Sequence, residues 1–436
     1  MTMLGLLVVA AATAAPGAPG PAPRPITLVE AVALAQRNAP VVVEARGQSR
    51  TSAAAVRSAV AAFIPSLNVS AGATRQVPEG GSRTRVENGQ VVILPADPWS
   101  NNLGLSASVD LFDGGRRFFD LRQARVRASA AGVNEVSARY AATLAVKQQF
   151  FNVLAARESE AATSSQLEQA NLQLRVAIAR VRARNATRSD SLRAEIQVRN
   201  AQLAVSDAHT AVDVANASLT RAVGATDLVT AAVEDSLPTP VLALDVEKIR
   251  TLALDGPAVQ QARASLEAAQ AARRSAWTSY LPAVSASYSR SGSATGASFA
   301  PGGVDYVYSG SMRLALSFPI FNQLQREQQL TQAEVAEANA EAALRDANLA
   351  ALEGLAQLLG AVQSADEHVA SLTATVEAAE EDLRVQQQRY AVANATLIDV
   401  LTSQTLLDQG RRDLIRAHYD QRIARAELES LVGRDL

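Results

Sequence analysis

The chain is written twice. Pro40-Val-Val-Val-Glu-Ala-Arg46 returns as Pro257-Ala-Val-Gln-Gln-Ala-Arg263, and Ile64-Pro65-Ser66 as Leu281-Pro282-Ala283, both at an offset of 217 residues. Later landmarks keep an offset of 209: Leu111-Phe112-Asp113 with Ile320-Phe321-Asn322, Asn185-Ala-Thr187 with Asn394-Ala-Thr396, and Val223-Gly224 with Val432-Gly433. A duplication of this size dictates that each half carries the same series of elements. The offset changes only between Pro65 and Phe112, so the extra eight residues belong to Gln76 to Pro98, where a length difference marks a surface loop.

Within each repeat the hydrophobic period changes in a fixed order. Pro40 to Phe63 is alanine-rich and compatible with a helix, and Pro65 ends it. Leu67, Val69, Ala71 and Ala73 then alternate with Asn68, Ser70, Gly72 and Thr74, and Leu103, Leu105, Ala107, Val109 and Leu111 alternate with smaller or polar residues. This period of two predicts strands over about 64–76 and 101–112, with counterparts at about 282–291 and 306–318. After Gly114-Gly115 the period becomes helical: Val133, Val136, Tyr140, Leu144, Phe151 and Leu154 share one face. One helix from Arg116 to Arg184 would be roughly 100 Å long. Asn185 and Asn394 suit the following turns because Asn tolerates the left-handed conformation. Thr187 with Asp190, and Thr396 with Asp399, have the spacing of capping boxes that open return helices. Val400, Leu407, Leu414 and Leu428 keep the heptad spacing of a coiled-coil seam. The resulting organisation is a first repeat over 26–224, a connector over 225–256 and a second repeat over 257–436.

Strands with one apolar and one serine-rich face suit lipid on one side and water on the other, and about 9 to 11 tilted residues cross a bilayer. Four such strands cannot close. An open sheet would present two unpaired edges to hydrocarbon at several kcal/mol for each unsatisfied backbone group. Closure therefore requires other copies, and three or more leave a lumen where two give a filled barrel. Trp99, Phe112, Phe118, Phe119, Trp277, Tyr280, Phe318 and Phe321 flank the strand ends, as an interfacial girdle would, or as staples between strand and helix.

Other classes fall away on composition. A formal charge of -2 gives no field to recruit nucleic acid, and the absence of cysteine excludes disulfides and thiolate chemistry. His209, His368 and His418 are scattered on helices without metal-ligand spacing, and Gly80-Gly81 and Gly302-Gly303 lie in loops without a phosphate-binding context. No catalytic constellation, cofactor or metal site is expected. A soluble coiled-coil adaptor or scaffold would share the long hairpins but would not need lipid-length strands. At the start of the chain, Leu4 to Ala15 is a twelve-residue run of small and apolar residues with a small-x-small site at Ala12-Thr13-Ala14. Residues 1–14 thus read as a signal peptide and 15–25 as a proline-rich linker, although no basic residue precedes the run.

From Ile26 to Leu436 the chain resembles the TolC-like outer-membrane efflux proteins. ALAQRNAP at Ala33 to Pro40, IPSL at Ile64 to Leu67, LFDGGRR at Leu111 to Arg117, SFPIF at Ser317 to Phe321 and the duplicated return-helix starts carry the likeness. The resemblance implies a homotrimer whose twelve-stranded barrel in the outer membrane continues into a long periplasmic α-barrel. It also implies export of drugs, metals or proteins together with a periplasmic adaptor and an inner-membrane transporter. In the family's namesake, aspartate rings close the periplasmic end while a tyrosine and an arginine link neighbouring helices. Tyr390 and Asp399 match the tyrosine and the first aspartate; Ala395 and Thr402 stand at the arginine and second-aspartate positions. Asp190 corresponds to Asp399 in the first repeat, with Arg193 opposite Thr402. Repeated carboxylates would favour cations, while capping alone also accounts for both aspartates. Arg175, Arg180, Arg182, Arg184 and Arg188 make the first hairpin tip basic and Tyr390 to Leu397 leave the second neutral. With Asn185 and Asn394, Arg182, Arg184 and Arg188 are the candidate adaptor contacts, or simply solvated helix ends.

Overall fold

A computed structural model describes residues 23–75, 83–87, 89–94, 99–232, 246–296, 299, 305–392 and 394–434. The expected signal peptide, most of the proline-rich linker and both loop glycine pairs lie outside these residues. The chain divides into two compact units, each built from both repeats.

The first unit comprises the described residues up to Glu44, Ser137–Ala253 and those from Leu352 onward. It contains β1 (Arg24–Ile26), α1 (Leu28–Asn38), most of α3 (Arg116–Arg182), all of α4 (Arg188–Val223), β6 (Val229–Ala231) and α5 (Val246–Ala253), and, from the second repeat, most of α7 (Gln325–Ala391) and all of α8 (Leu397–Val432). The duplication is exact in length here: α3 and α7 have 67 residues each, and α4 and α8 have 36 each. Equivalent positions build equivalent cores. Val146, Leu219 and Val223 are buried in one cluster, and Leu355, Leu428 and Val432, each 209 residues on, in another. The first cluster is larger because β1 pairs in parallel with β6, which adds Ile26, Val229 and Ala231 to the buried cluster of Phe150, Val153 and Leu219, and Arg157 donates to the Ala231 carbonyl at 2.7 Å.

Two expectations change at this level. The buried stripe of α3 is Ala138, Ala142, Val146, Phe150 and Val153, with Phe151 and Leu154 beside it, whereas Val136 is exposed. Alanines carry the seam because small side chains let long helices approach closely, and a search for large apolar residues overlooks them. The segment expected as a connector contains β6 and also α5, which stands where α1 stands in the first repeat. The second repeat therefore begins before Pro257.

The second unit, Ala45–Val136 with Leu254–Ala351, holds most of α2 (Pro40–Ala61), α6 (Pro257–Trp277), the first turns of α3 and α7, and the two antiparallel sheets. Its main sheet is antiparallel in the order β2 (Ser66–Arg75), β5 (Trp99–Phe112), β7 (Ala283–Gly296), β8 (Val307–Ser317). Register sorts the faces as the alternation requires. Val69 pairs with Leu105, Ala107 with Tyr288 and Tyr288 with Met312 on one face. On the other, serine side chains bridge the strands, Ser66 to Ser108 at 2.7 Å, Ser289 to Ser311 at 3.0 Å and Ser291 to Ser309 at 3.1 Å. Arg290 interrupts the apolar face, and its guanidinium lies over the Tyr308 ring at 5.1 Å. The loop between β2 and β5 carries a short hairpin, β3 (Arg83–Glu87) with β4 (Gln90–Leu94). Its turn glycine, Gly89, has φ +80°, and Asn88-Gly89 is the type I′ signal that marks it in the sequence.

The elbows from sheet to long helix differ between the repeats. In the first, Gly114 and Gly115 have φ +69° and +84°, and a Cβ on Gly114 would stand 2.7 Å from that of Leu281. Asp113 locks the turn by accepting from the Gly115 and Arg117 amides, each at 3.1 Å, and from Arg117 Nε at 2.9 Å. The second elbow places Gln323 and Leu324 at φ +56° and +61°, a conformation costing about 1–2 kcal/mol for a residue with a Cβ. There, Asn322 Oδ1 and Arg326 Nε are buried and have no hydrogen-bond partner among the described residues. Gln323→Gly and Leu324→Gly are each expected to stabilise the chain by about 1 kcal/mol, whereas Gly114→Ala destabilises it. Thermal unfolding of the three variants in one detergent checks the opposite signs.

Candidate functional site at the hairpin tips

Each tip is a helix end, a short turn and a capped helix start. After α3, the Asn185 amide donates to the Arg180 carbonyl at 2.9 Å and the Arg184 amide to the Val181 carbonyl at 3.1 Å. This is a Schellman closure. The left-handed residue is Arg184, at φ 59°, and not Asn185 as its residue type suggests. Asn185 is the next position, whose amide closes the turn. Asn394 does the same after α7, donating to the Arg389 carbonyl at 2.8 Å.

Both return helices start with full capping boxes. Thr187 Oγ1 accepts from the Asp190 amide at 3.3 Å, while Asp190 Oδ2 accepts from the Thr187 amide at 2.9 Å and hydroxyl at 2.8 Å. Thr396 and Asp399 repeat this at 3.3, 2.8 and 2.8 Å. The Thr187 backbone bond holds the Asp190 carboxyl below its ordinary value, and the Thr396 backbone bond does the same for Asp399. Arg193 and Arg389 add smaller electrostatic contributions in the same direction. Both groups are fixed anions at neutral pH. Arg193 and Thr402 meet in one open groove of about 410 Å³ together with Ile196, Ile398, Leu401 and Thr405. The Thr402 hydroxyl is turned back onto the Ile398 carbonyl at 2.9 Å. The groove wall thus combines a cation with apolar side chains.

Tyr390 does have an arginine partner, from the other repeat. Arg180 Nη2 donates to the Tyr390 carbonyl at 2.8 Å and the Ala391 carbonyl at 3.1 Å, and the guanidinium lies 4.0 Å from the Tyr390 ring centroid. Three favourable terms meet here: carbonyls left unpaired at a helix C-terminus, the negative end of its dipole, and an aromatic face. Arg182, Arg184 and Arg188 remain exposed, as do Asn185 and Asn394. Residue type alone grouped Arg180 with the other tip arginines. Only the juxtaposition of the two hairpins separates it from them.

Above the tips lies a polar cavity of about 180 Å³ lined by Gln166, Gln173, Asn200, Gln404 and Asp408 among others. Sequence reasoning missed it, since Asp408 follows the seam residue Leu407 without any motif of its own. Asp408 is only 8% exposed, and burial pushes its carboxyl up against the opposing hydrogen bonds from Gln404 and Gln166 and the charges of Arg412 and Arg411. A raised folded value means stability that is complete below the ordinary value of 3.8 and lost as pH rises through the folded value. Asp408→Asn, which keeps an acceptor for Gln404, is expected to raise the melting midpoint at pH 7 and to lose that advantage as the pH approaches 4.

The candidate girdle residues form two groups along the sheet. Phe112 ends β5, Trp277 ends α6, and Phe318 and Phe321 follow β8, all at the helical end of the sheet and all exposed. Trp99 opens β5 at the far end, between Arg75 at 5.9 Å and Phe299 at 5.1 Å. No described helix is long and apolar enough to cross a membrane.

No curated protein matches the sequence. Among solved structures, the outer membrane protein VceC from Vibrio cholerae superimposes with a TM-score of 0.73 at 20% identity, covering 93% of this chain and 96% of that one. A membrane protein from Pseudomonas aeruginosa gives 0.76 at 20% identity over 93% and 90%, and the open state of the Neisseria gonorrhoeae MtrE outer membrane channel gives 0.70 at 20% over 94% and 89%. These likenesses establish the fold. The outer membrane efflux protein family matches over residues 31–225 and 249–434, which together take in both repeats, and the chain belongs to that family.

Proposed function

We propose that the chain is the outer-membrane channel of an export system: three copies close their sheets into a twelve-stranded barrel, and the helical hairpins form a periplasmic conduit. The observation that carries this reading is the sheet itself. Among the described residues its edge strands β2 and β8 have no partner on their outer sides, and apolar residues project from both: Leu67 is 70% exposed, Met312 84% and Leu316 72%. In water, such an edge and such a face would aggregate; in lipid, the face is stable but the edges are not. Pairing β8 of one copy with β2 of the next removes both edges and leaves the serine faces around a wet lumen. The two aromatic groups then fall at the two membrane surfaces.

In this assembly Asp190, Tyr390, Asp399 and Thr402 narrow the periplasmic opening, and the Arg193 groove moderates its negative charge. The exposed Arg182, Arg184 and Arg188, with Asn185 and Asn394, meet a periplasmic adaptor that bridges to an inner-membrane transporter. Substrates pass without chemical change. Three methionines and three histidines offer no relay of soft ligands, which supports small organic molecules over metal ions as cargo. Extraction and reconstitution test the reading. The protein should leave the outer membrane only with detergent, run as a trimer and conduct ions in planar bilayers. A buffer-soluble monomer that never conducts would overturn it in favour of a soluble scaffold.

A further inference from the structure

The tip clasp and the duplication together imply a contact that no single chain can make. Arg180 stands at the last turn of α3, and 209 residues on, at the last turn of α7, stands Arg389. The two turns close alike, through Asn185 on Arg180 and Asn394 on Arg389. Both arginine stems therefore leave the same kind of turn on helices of equal length. Arg180 reaches from the first hairpin to the second and caps the α7 carbonyls of Tyr390 and Ala391. Arg389 is exposed, and its electrostatic neighbour is Asp399 of its own chain.

A closed ring of these chains alternates first and second hairpins. Each step from first to second hairpin within a chain is followed by a step from second to first between chains, and duplicated units present like faces at both. Resting on the trimeric channel reading above, we propose that Arg389 repeats the clasp across the subunit boundary, donating to the main-chain carbonyls of Val181 and Arg182 in the neighbouring copy. The repeated clasp is the weaker of the two, for two reasons. Val181 stands where Tyr390 stands, so the aromatic platform is missing. The receiving tip also carries Arg182, Arg184 and Arg188, whereas Arg180 docks on a tip without such a cluster. Like charges gathered around the boundary oppose the capping bonds. The tips consequently part between subunits while each chain's own pair of hairpins stays together.

The absence of native cysteine makes thiol cross-linking unambiguous. Two double variants of the full chain are needed: Arg389→Cys with Arg182→Cys, and Arg180→Cys with Ala391→Cys. Each is purified in detergent, its trimeric mass is verified, and it is treated with a reducible dithiol-reactive linker of about one arginine side chain in length. The first pair should give covalent dimers and trimers, and the second only monomers linked within one chain. In planar bilayers, with each variant compared with its own reduced form, linking the first pair should cut open-state conductance several-fold, with recovery on reduction, and linking the second should cut it distinctly less. In a verified trimer, a first pair that stays unlinked or links only within one chain overturns the Arg389 contact. Equal loss of conductance for both pairs overturns the ordering of the two clasps. A particle that is never trimeric instead overturns the channel assembly itself.

Discussion

Replacing Phe150 with alanine is expected to lower stability by about 3–5 kcal/mol, the cost of emptying a core site that cannot collapse. Phe150 is fully buried in the cluster where α3 meets α1, α4 and the β1–β6 pair, and its ring stands edge-on to Phe151 at 6.2 Å. Its counterpart in the second repeat is Leu359, only partly buried in the smaller cluster. Leu359→Ala should therefore cost distinctly less, although the two positions are equivalent in the duplication. Chemical unfolding followed by circular dichroism checks the pair. Equal losses would show that the extra strand pair does not make the first core the stronger one. Two side-chain ties brace α3 against α8 close to this site, Lys147 to Glu429 at 2.5 Å and Gln148 to Glu427 at 3.1 Å, and they limit how far the helices can close over the void.

Met312→Arg should be comparably damaging for a different reason. Met312 is at the middle of β8 on the apolar face, opposite Tyr288 in register. In the proposed barrel, a cation near the bilayer midplane costs about 2–4 kcal/mol per position, and the proposed trimer would meet that cost in every copy. Arg290, already on this face, adds repulsion. The expected result is loss of heat-resistant trimer from the outer-membrane fraction. Ser311→Asn, one residue away on the serine face, should assemble normally. If Met312→Arg were neutral, or raised the yield of buffer-soluble protein, the face would not be in lipid.

Much of the architecture is legible before folding because it rests on local rules. Alternation with period two identifies β2, β5, β7 and β8; helical periodicity and the Thr187–Asp190 and Thr396–Asp399 spacings identify the long helices and the starts of their return partners. These signals survive because each lies within a few consecutive residues. The buried stripe of α3 is less legible, since Ala138 and Ala142 look no more apolar than the alanines around them. The β3–β4 hairpin is harder to read, because the length difference between the repeats marks the whole segment as loop even though the sequence there contains an Asn-Gly pair. At the candidate site the spacing of the capping aspartates is visible in the sequence, whereas the arginine that reaches Tyr390 does not stand at the family's position, which Ala395 occupies, but in the other repeat.

By itself, then, the sequence determined the duplication, the order of elements, the two-faced strands and the ionised caps, all of which follow from hydrophobic period and hydrogen bonding at short range. Tertiary structure alone decided which arginine clasps Tyr390, which carboxylate is buried among glutamines, and why two elbows of one design differ, with one locked on glycines and the other held under strain. Those outcomes depend on residues far apart in the chain, Arg180 and Tyr390 or Gln166 and Asp408, being brought within hydrogen-bonding distance, and no local pattern records which distant surfaces will meet.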